Sequence, residues 1–142
     1  MPGGFKMTKD RTPCPCGGGL YSHCCAPLHR HEQLAATAEQ LMRSRYSAFV
    51  RGEVDYLMET HSVTDISPAV QRDQLQRSCR TMHWQRLSIT DIHAGDRFDV
   101  EGTVSFEAFY RGGVLRETSL FRRRNGSIQG DWLYVRAIGT EA

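Results

Sequence analysis

The sequence predicts an α+β domain, with three helices followed by a four-stranded antiparallel meander, and a small metal-binding module at its N-terminal end. Three observations predict it. Apolar residues recur at helical spacing from about Thr37 to Arg80, the hydrophobic period shifts to two after Met82, and four of the five cysteines fall between positions 14 and 25.

The boundaries follow from composition: a leader over 1–12, the cysteine module over 13–28, a linker over 29–36 and the α+β domain over 37–140. With 142 residues, 39% hydrophobic and 24% charged, the chain has enough apolar surface for one real core. A net charge of +2 gives no general attraction to nucleic acid or to a membrane surface, so neither sequence-specific nucleic-acid binding nor membrane insertion is expected. The first residues lack the apolar run of a secretory signal, and the chain is expected to be cytoplasmic.

Taken in order, Pro13-Cys14-Pro15-Cys16-Gly17-Gly18-Gly19 is too rich in Pro and Gly for helix or regular strand, and Tyr21 to Pro27 closes the module. The linker carries His29, Arg30 and His31. Thr37 with Gln40 fits a capping box, after which Ala38, Leu41, Met42, Tyr46 and Phe49 share one helical face up to a stop at Gly52. A shorter helix runs from Glu53 to about His61, and Ser67 with Pro68 at the first position starts a third that extends towards Arg80. Strands are expected over 84–93, 98–110, 114–124 and 128–138, separated by Ala94-Gly95-Asp96, Gly112-Gly113 and Asn125-Gly126. In the second strand, Val100, Gly102, Val104, Phe106, Ala108 and Tyr110 share the face expected to be buried. Arg122, Arg123 and Arg124 read as solvated protection of a sheet edge.

Cys14 and Cys16, then Cys24 and Cys25, form two tight pairs of soft ligands separated by the seven residues Gly17 to His23. Zinc takes four such ligands in a tetrahedron, and two short chelating segments across a turn can supply it. Disulfides are the weaker reading, because adjacent cysteines bridge only with strain and cytosolic thiols stay reduced. Iron suits the same ligand set. A shell of four thiolates leaves no position for water, so the metal is expected to fold the module and not to catalyse. Four thiolate charges and two on the metal would take the net charge from +2 to 0. His23, His29 and His31 lie close enough in sequence to replace one cysteine.

Cys14-Pro15-Cys16-Gly17 with Tyr21 and Cys24-Cys25 resembles the SEC-C motif, the zinc module at the C-terminal end of the bacterial translocation motor SecA. That motif usually has eight residues between its inner ligands, where this chain has seven. Leu41-Met42-Arg43-Ser44-Arg45-Tyr46-Ser47-Ala48-Phe49, with Asp55-Tyr56-Leu57 and Thr60-His61, resembles the YchJ family of small bacterial SEC-C proteins. Family members usually read Thr-Trp-His where Thr60 here meets His61 directly. The resemblance implies a cone-like domain similar to nuclear transport factor 2, three helices on a curved antiparallel sheet. By way of the SecA module it also implies a protein partner in the secretion or ribosome-associated chaperone systems. Domains of this architecture often pair through the sheet, so a homodimer is a further expectation.

A second candidate site lies in the helices. Arg45 falls on an otherwise apolar face and needs a partner, for which Glu117, Asp55 and His61 are candidates. An internal ion pair between helix and sheet is preferred here over an anion-binding pocket. The alternative function is an enzyme or small-ligand-binding protein using Arg45, Asp55 and His61 in the cone, with His61 and Asp55 as a possible acid/base pair. As a module too small to bury its own core, residues 13–28 are expected to unfold on loss of two cysteines while the cone is spared.

Overall fold

The computed structural model describes residues 11–141, so most of the leader, with Lys6 and Lys9, lies outside the described residues. Within them, a 3-10 turn at Tyr21–His23 leads to a short helix α1 (Ala26–His29), then α2 (Ala38–Arg51), α3 (Val54–Glu59) and α4 (Pro68–Thr81). Strands β1 (Trp84–Ala94), β2 (Glu101–Tyr110), β3 (Gly113–Arg123) and β4 (Trp132–Glu141) form one antiparallel sheet in sequence order. The α+β reading therefore holds, with the short α1 added inside the module.

The two long helices start where their caps place them. Thr37 Oγ1 accepts from the Gln40 amide at 3.1 Å, and the Gln40 side chain accepts from the Ala36 amide at 2.6 Å. Gly52 ends α2 at φ 77°, a left-handed conformation that glycine takes without strain. Ser67 caps α4 by accepting from Val70, and Pro68 occupies the first position. None of the α4 side chains is fully buried, so this helix lies on the rim of the core.

The sheet curves through register shifts in β1 near Arg86 and Thr90 and in the β3–β4 pair near Thr118 and Leu120. Its concave face and α2 enclose Leu41, Leu57, Val104, Phe121 and Trp132, the last only 1% exposed. The first hairpin closes tightly because glycine backbones cross there. A Cβ on Gly102 would lie 2.4 Å from the Gly95 backbone, and one on Gly95 would lie 2.7 Å from the Ala38 Cβ. The second hairpin is a two-residue turn, with Tyr110 paired to Gly113.

Two expectations in this region are corrected. Asn125 and Gly126 do adopt left-handed angles of 59° and 64°, but the chain continues as a loop to Asp131 and β4 begins only at Trp132. A two-pronged pair from Arg124 to Asp131, at 2.8 and 3.1 Å, holds that loop shut. Arg123 is not solvated edge protection, because β3 is an interior strand and its guanidinium is buried. It donates to the carbonyls of Asp99, Gly130 and Arg97 at 2.7, 3.0 and 2.7 Å and lies over the Trp132 ring, stitching the two loops at this end of the sheet. The alternating pattern identified a strand correctly but could not show how many neighbours it has. Among the described residues no helix is long and apolar enough to cross a membrane.

Candidate metal centre

Cys14, Cys16, Cys24 and Cys25 converge, with all four sulfurs within 4.8 Å of one another. The turn that brings them together is small. Pro13 bridges Leu20 in an antiparallel sense, the Cys14 amide donates to the Gly19 carbonyl at 2.7 Å, and the Gly17 amide donates to the Cys14 carbonyl at 3.0 Å. Gly17 and Gly19 take φ values of 87° and 114°. Gly18 is glycine for a different reason: a Cβ there would stand 2.8 Å from the Cys24 Sγ and 3.2 Å from the Cys16 Sγ. The seven-residue spacing does not force a choice between the adjacent cysteines, since Cys24 and Cys25 both bring their sulfurs to the cluster.

The sulfur separations identify what the cluster suits. Cys16 to Cys24 is 3.5 Å, Cys16 to Cys25 is 3.8 Å and Cys24 to Cys25 is 3.9 Å. A tetrahedron with metal–sulfur bonds of about 2.3 Å has edges of about 3.8 Å, so these sulfurs already stand at coordination spacing. A disulfide would need about 2.05 Å, and all of these cysteines are free.

Electrostatics point the same way. Hydrogen bonds from Cys16 and Cys25 favour the thiolate at Cys14 and hold its pKa well below the ordinary thiol value. Burial and the neighbouring sulfurs push Cys24 up to about 12, while hydrogen bonding to Cys14 and Cys16 pushes Cys25 upward as well. Without a cation, the crowded sulfurs favour the thiolate at Cys14 and oppose it at Cys24 and Cys25. A divalent metal removes that resistance, so loading releases protons and acid opposes it.

The cluster is anchored to α2. Ser47, fully buried, donates its hydroxyl to the Cys25 sulfur at 3.3 Å and lies 3.3 Å from the Cys14 sulfur. Arg43 donates to the Cys16 carbonyl at 2.9 Å, and Arg51 lies over the Tyr21 ring at 3.8 Å. Cys14, Cys16, Tyr21, Cys25, Ala26 and Leu28 belong to the same buried cluster as Leu41 and Leu57. The module is thus built into the core of the domain. Ser47→Ala is expected to weaken metal retention roughly 10- to 100-fold, the usual cost of losing a group that orients a ligand, and chelator competition would measure it. Gly18→Ala should do at least as much, because metal-bound sulfurs have little freedom to move away.

His29 is not a substitute ligand. It is buried, with Nε2 2.8 Å from the Ser44 carbonyl and Nδ1 2.6 Å from the Tyr21 hydroxyl. A carbonyl only accepts, so Nε2 carries the hydrogen and Tyr21 donates to Nδ1. Burial lowers the His29 pKa below its ordinary value of 6.5. The unfolded chain therefore binds the proton first, and this part of the stability is complete above about pH 6.5 and lost as the pH falls towards the lowered value. Urea unfolding of the metal-loaded protein between pH 7.5 and 5.5 should show that loss, and it should shrink in His29→Gln. His31 is also elsewhere, 3.1 Å from Glu59 on the surface.

The second candidate set is only partly assembled. Arg45 is 5% exposed, and its Nη1 donates to the Leu57 carbonyl at 2.9 Å and to Thr60 Oγ1 at 2.6 Å. Burial lowers it to about 10, so it stays charged near neutrality. The expected ion pair is absent among the described residues. Asp55 faces outward and pairs with Arg72 at 2.7 Å, because α3 turns its first residues to solvent. His61 donates from Nδ1 to the Ser62 carbonyl at 2.9 Å and makes no acid/base pair with Asp55. Glu117 accepts from Ser119 at 2.6 Å. Arg45, His61 and Glu117 nevertheless line one cavity of about 310 Å3 inside the cone, with Tyr134 and Trp84.

Sequence reasoning missed Arg43 and Ser47, which tie α2 to the module, and Thr60, which accepts from Arg45. The signal that could have found Ser47 is the run of small residues Ser44, Ser47 and Ala48 on one side of α2, all buried, where another segment packs close to the helix.

Comparison with known proteins adds to this geometry. Residues 37–137 match the family model described as the YchJ middle NTF2-like domain, which covers more than half of the chain. The chain belongs to the YchJ family. A UPF0225 protein of Streptomyces coelicolor is 42% identical over 130 residues, covering 87% of this chain and 92% of the relative. A UPF0225 protein of Sodalis glossinidius is 42% identical over 132 residues, covering 88% and 82%. Among solved structures, a SEC-C motif containing protein from Rhodopseudomonas palustris superposes with a TM-score of 0.70 at 30% identity, covering 92% of this chain and 98% of that one. One from Psychrobacter arcticus superposes at 0.71 and 24% identity, covering 94% and 85%, and shows the shared fold. The YchJ resemblance and the NTF2-like cone read from the sequence are borne out, and the four-cysteine cluster at the N-terminal end marks a metal-binding module of the SEC-C kind.

Proposed function

We propose that Cys14, Cys16, Cys24 and Cys25 hold one zinc ion in a closed four-thiolate site, and that the loaded module is a protein-docking surface. The observation that carries the metal is the spacing of the sulfurs: those of Cys16, Cys24 and Cys25 stand 3.5 to 3.9 Å apart where a tetrahedral site needs about 3.8 Å, and all four lie within 4.8 Å of one another. Four thiolates leave no position for water or substrate, so the module's use lies in the surface it holds rigid. That surface exposes Gly17 to Gly19, Leu20, His23 and Arg30. The SEC-C motif supports a partner in the secretion or ribosome-associated chaperone systems of the cytoplasm.

Iron fits the same sulfurs, and elemental analysis separates the two: about one zinc per chain is expected. For docking, the metal-loaded chain and Leu20→Asp would be compared in co-sedimentation with ribosomes and in binding to the purified translocation motor. Retention by either partner that is lost in Leu20→Asp, with the metal still bound, supports the reading. Equal behaviour of the two proteins overturns it.

A further inference from the structure

We propose that the interior of the cone is a binding site for a small, mainly apolar molecule whose uncharged head both accepts and donates hydrogen bonds, as a primary amide does. Arg45 reaches the cavity of about 310 Å3 from α2, and Glu117 reaches it from β3. The two opposite charges line one space without touching, since no ion pair joins them among the described residues. Arg45 places Nη1 on Leu57 and Thr60, and its Nε and Nη2 make no hydrogen bond to a described residue. Glu117 has one oxygen on Ser119. The Arg45 guanidinium also lies over the Tyr134 ring at 4.9 Å, and the gap between it and the carboxylate suits a group that accepts from the one and donates to the other.

The charge balance selects the head group. An anion would satisfy Arg45 but face Glu117, a cation would do the reverse, and either would add a net charge to a cavity of low polarizability. A neutral amide meets both without that cost. Phe49, Leu75, Phe106 and Leu115 supply apolar walls for the rest of the molecule. The volume is at the small end for ligand sites and suits a single ring. Trp84 lines the same cavity, and its indole N–H is buried with no acceptor among the described residues, which leaves a donor on this wall for a bound molecule to meet. The site is separate from the cysteine cluster: Arg45 and Ser47 are two positions apart on α2 and therefore point to opposite sides of it.

The test uses the full, metal-loaded chain and follows the two indole N–H signals by NMR, with Trp84→Phe identifying the Trp84 signal. Benzamide is expected to move the Trp84 signal saturably and to leave Trp132, which donates to the Ala36 carbonyl, in place. Benzoate and benzylamine, the charged counterparts, should bind at least tenfold more weakly. Glu117→Gln removes the negative charge while keeping an amide that can bond Ser119, so it should shift the benzoate-to-benzamide preference at least tenfold towards benzoate. No saturable movement with benzamide, benzoate binding as tightly as benzamide to the unaltered chain, or an unchanged preference in Glu117→Gln would each overturn the proposal.

Discussion

Replacing Cys16 and Cys25 together by serine is expected to abolish metal binding and to destabilise the whole chain, not the module alone. The reason is packing. Tyr21 and Leu28 are buried against α2 in one cluster with Leu41 and Leu57, and Ser47 ties the sulfurs to the helix. Releasing two such side chains alone costs about 1.5–3 kcal/mol each. Together with loss of the metal bonds, this places the effect at about 4 kcal/mol or more, a fall in Tm of at least roughly 10 °C. Calorimetry should show a single transition moved down, and exchange of the α2 amides should quicken. A cone transition left at its original temperature would show that the module melts by itself, as its short length suggested.

Arg123→Ala is expected to cost about 3 kcal/mol, read as a lower urea midpoint at unchanged slope. Its guanidinium serves three backbone carbonyls on two loops and covers the Trp132 ring. Hydrogen bonds to a charged group contribute about 1.5–3 kcal/mol each, partly offset here when the freed carbonyls meet water. Arg123→Lys should recover less than half of the loss, because a single ammonium cannot span donors held in a planar fork. An exposed arginine on an edge strand would show almost no effect, so the measurement separates the two placements of β3.

Much of the local structure was legible because it is set by neighbours in the chain. Thr37 and Gln40, Gly52, and Ser67 with Pro68 mark the starts and stops of α2 and α4 through bonds that span at most five residues. The alternation names the buried face of β2 correctly from Gly102 to Ala108, while Val100, expected on the same face, precedes the strand and is exposed, and Tyr110 is half-buried. Asn125 and Gly126 took the turn conformation expected of them, yet the strand after them started later, since the loop is held by Arg124 and Asp131 and those residues carry no local signal for pairing.

The candidate sites divide in the same way. The cysteine spacing pointed to four converging sulfurs, because a chelate across a short turn is a local object. The partner of Arg45 was not legible: its hydrogen bonds go to a backbone carbonyl and a threonine, and a carbonyl is present at every residue whatever the side chain.

The order of helices and strands, the family and the set of converging cysteines all rest on short-range patterns of side-chain type, and for these the amino-acid order was enough. Tertiary packing settled the rest: the module shares the domain's core, Arg123 is buried in an interior strand, and Arg45 and Glu117 face one cavity without touching. Those outcomes depend on which surfaces meet across tens of residues of intervening chain, and close packing selects them through the fit of all the side chains at once.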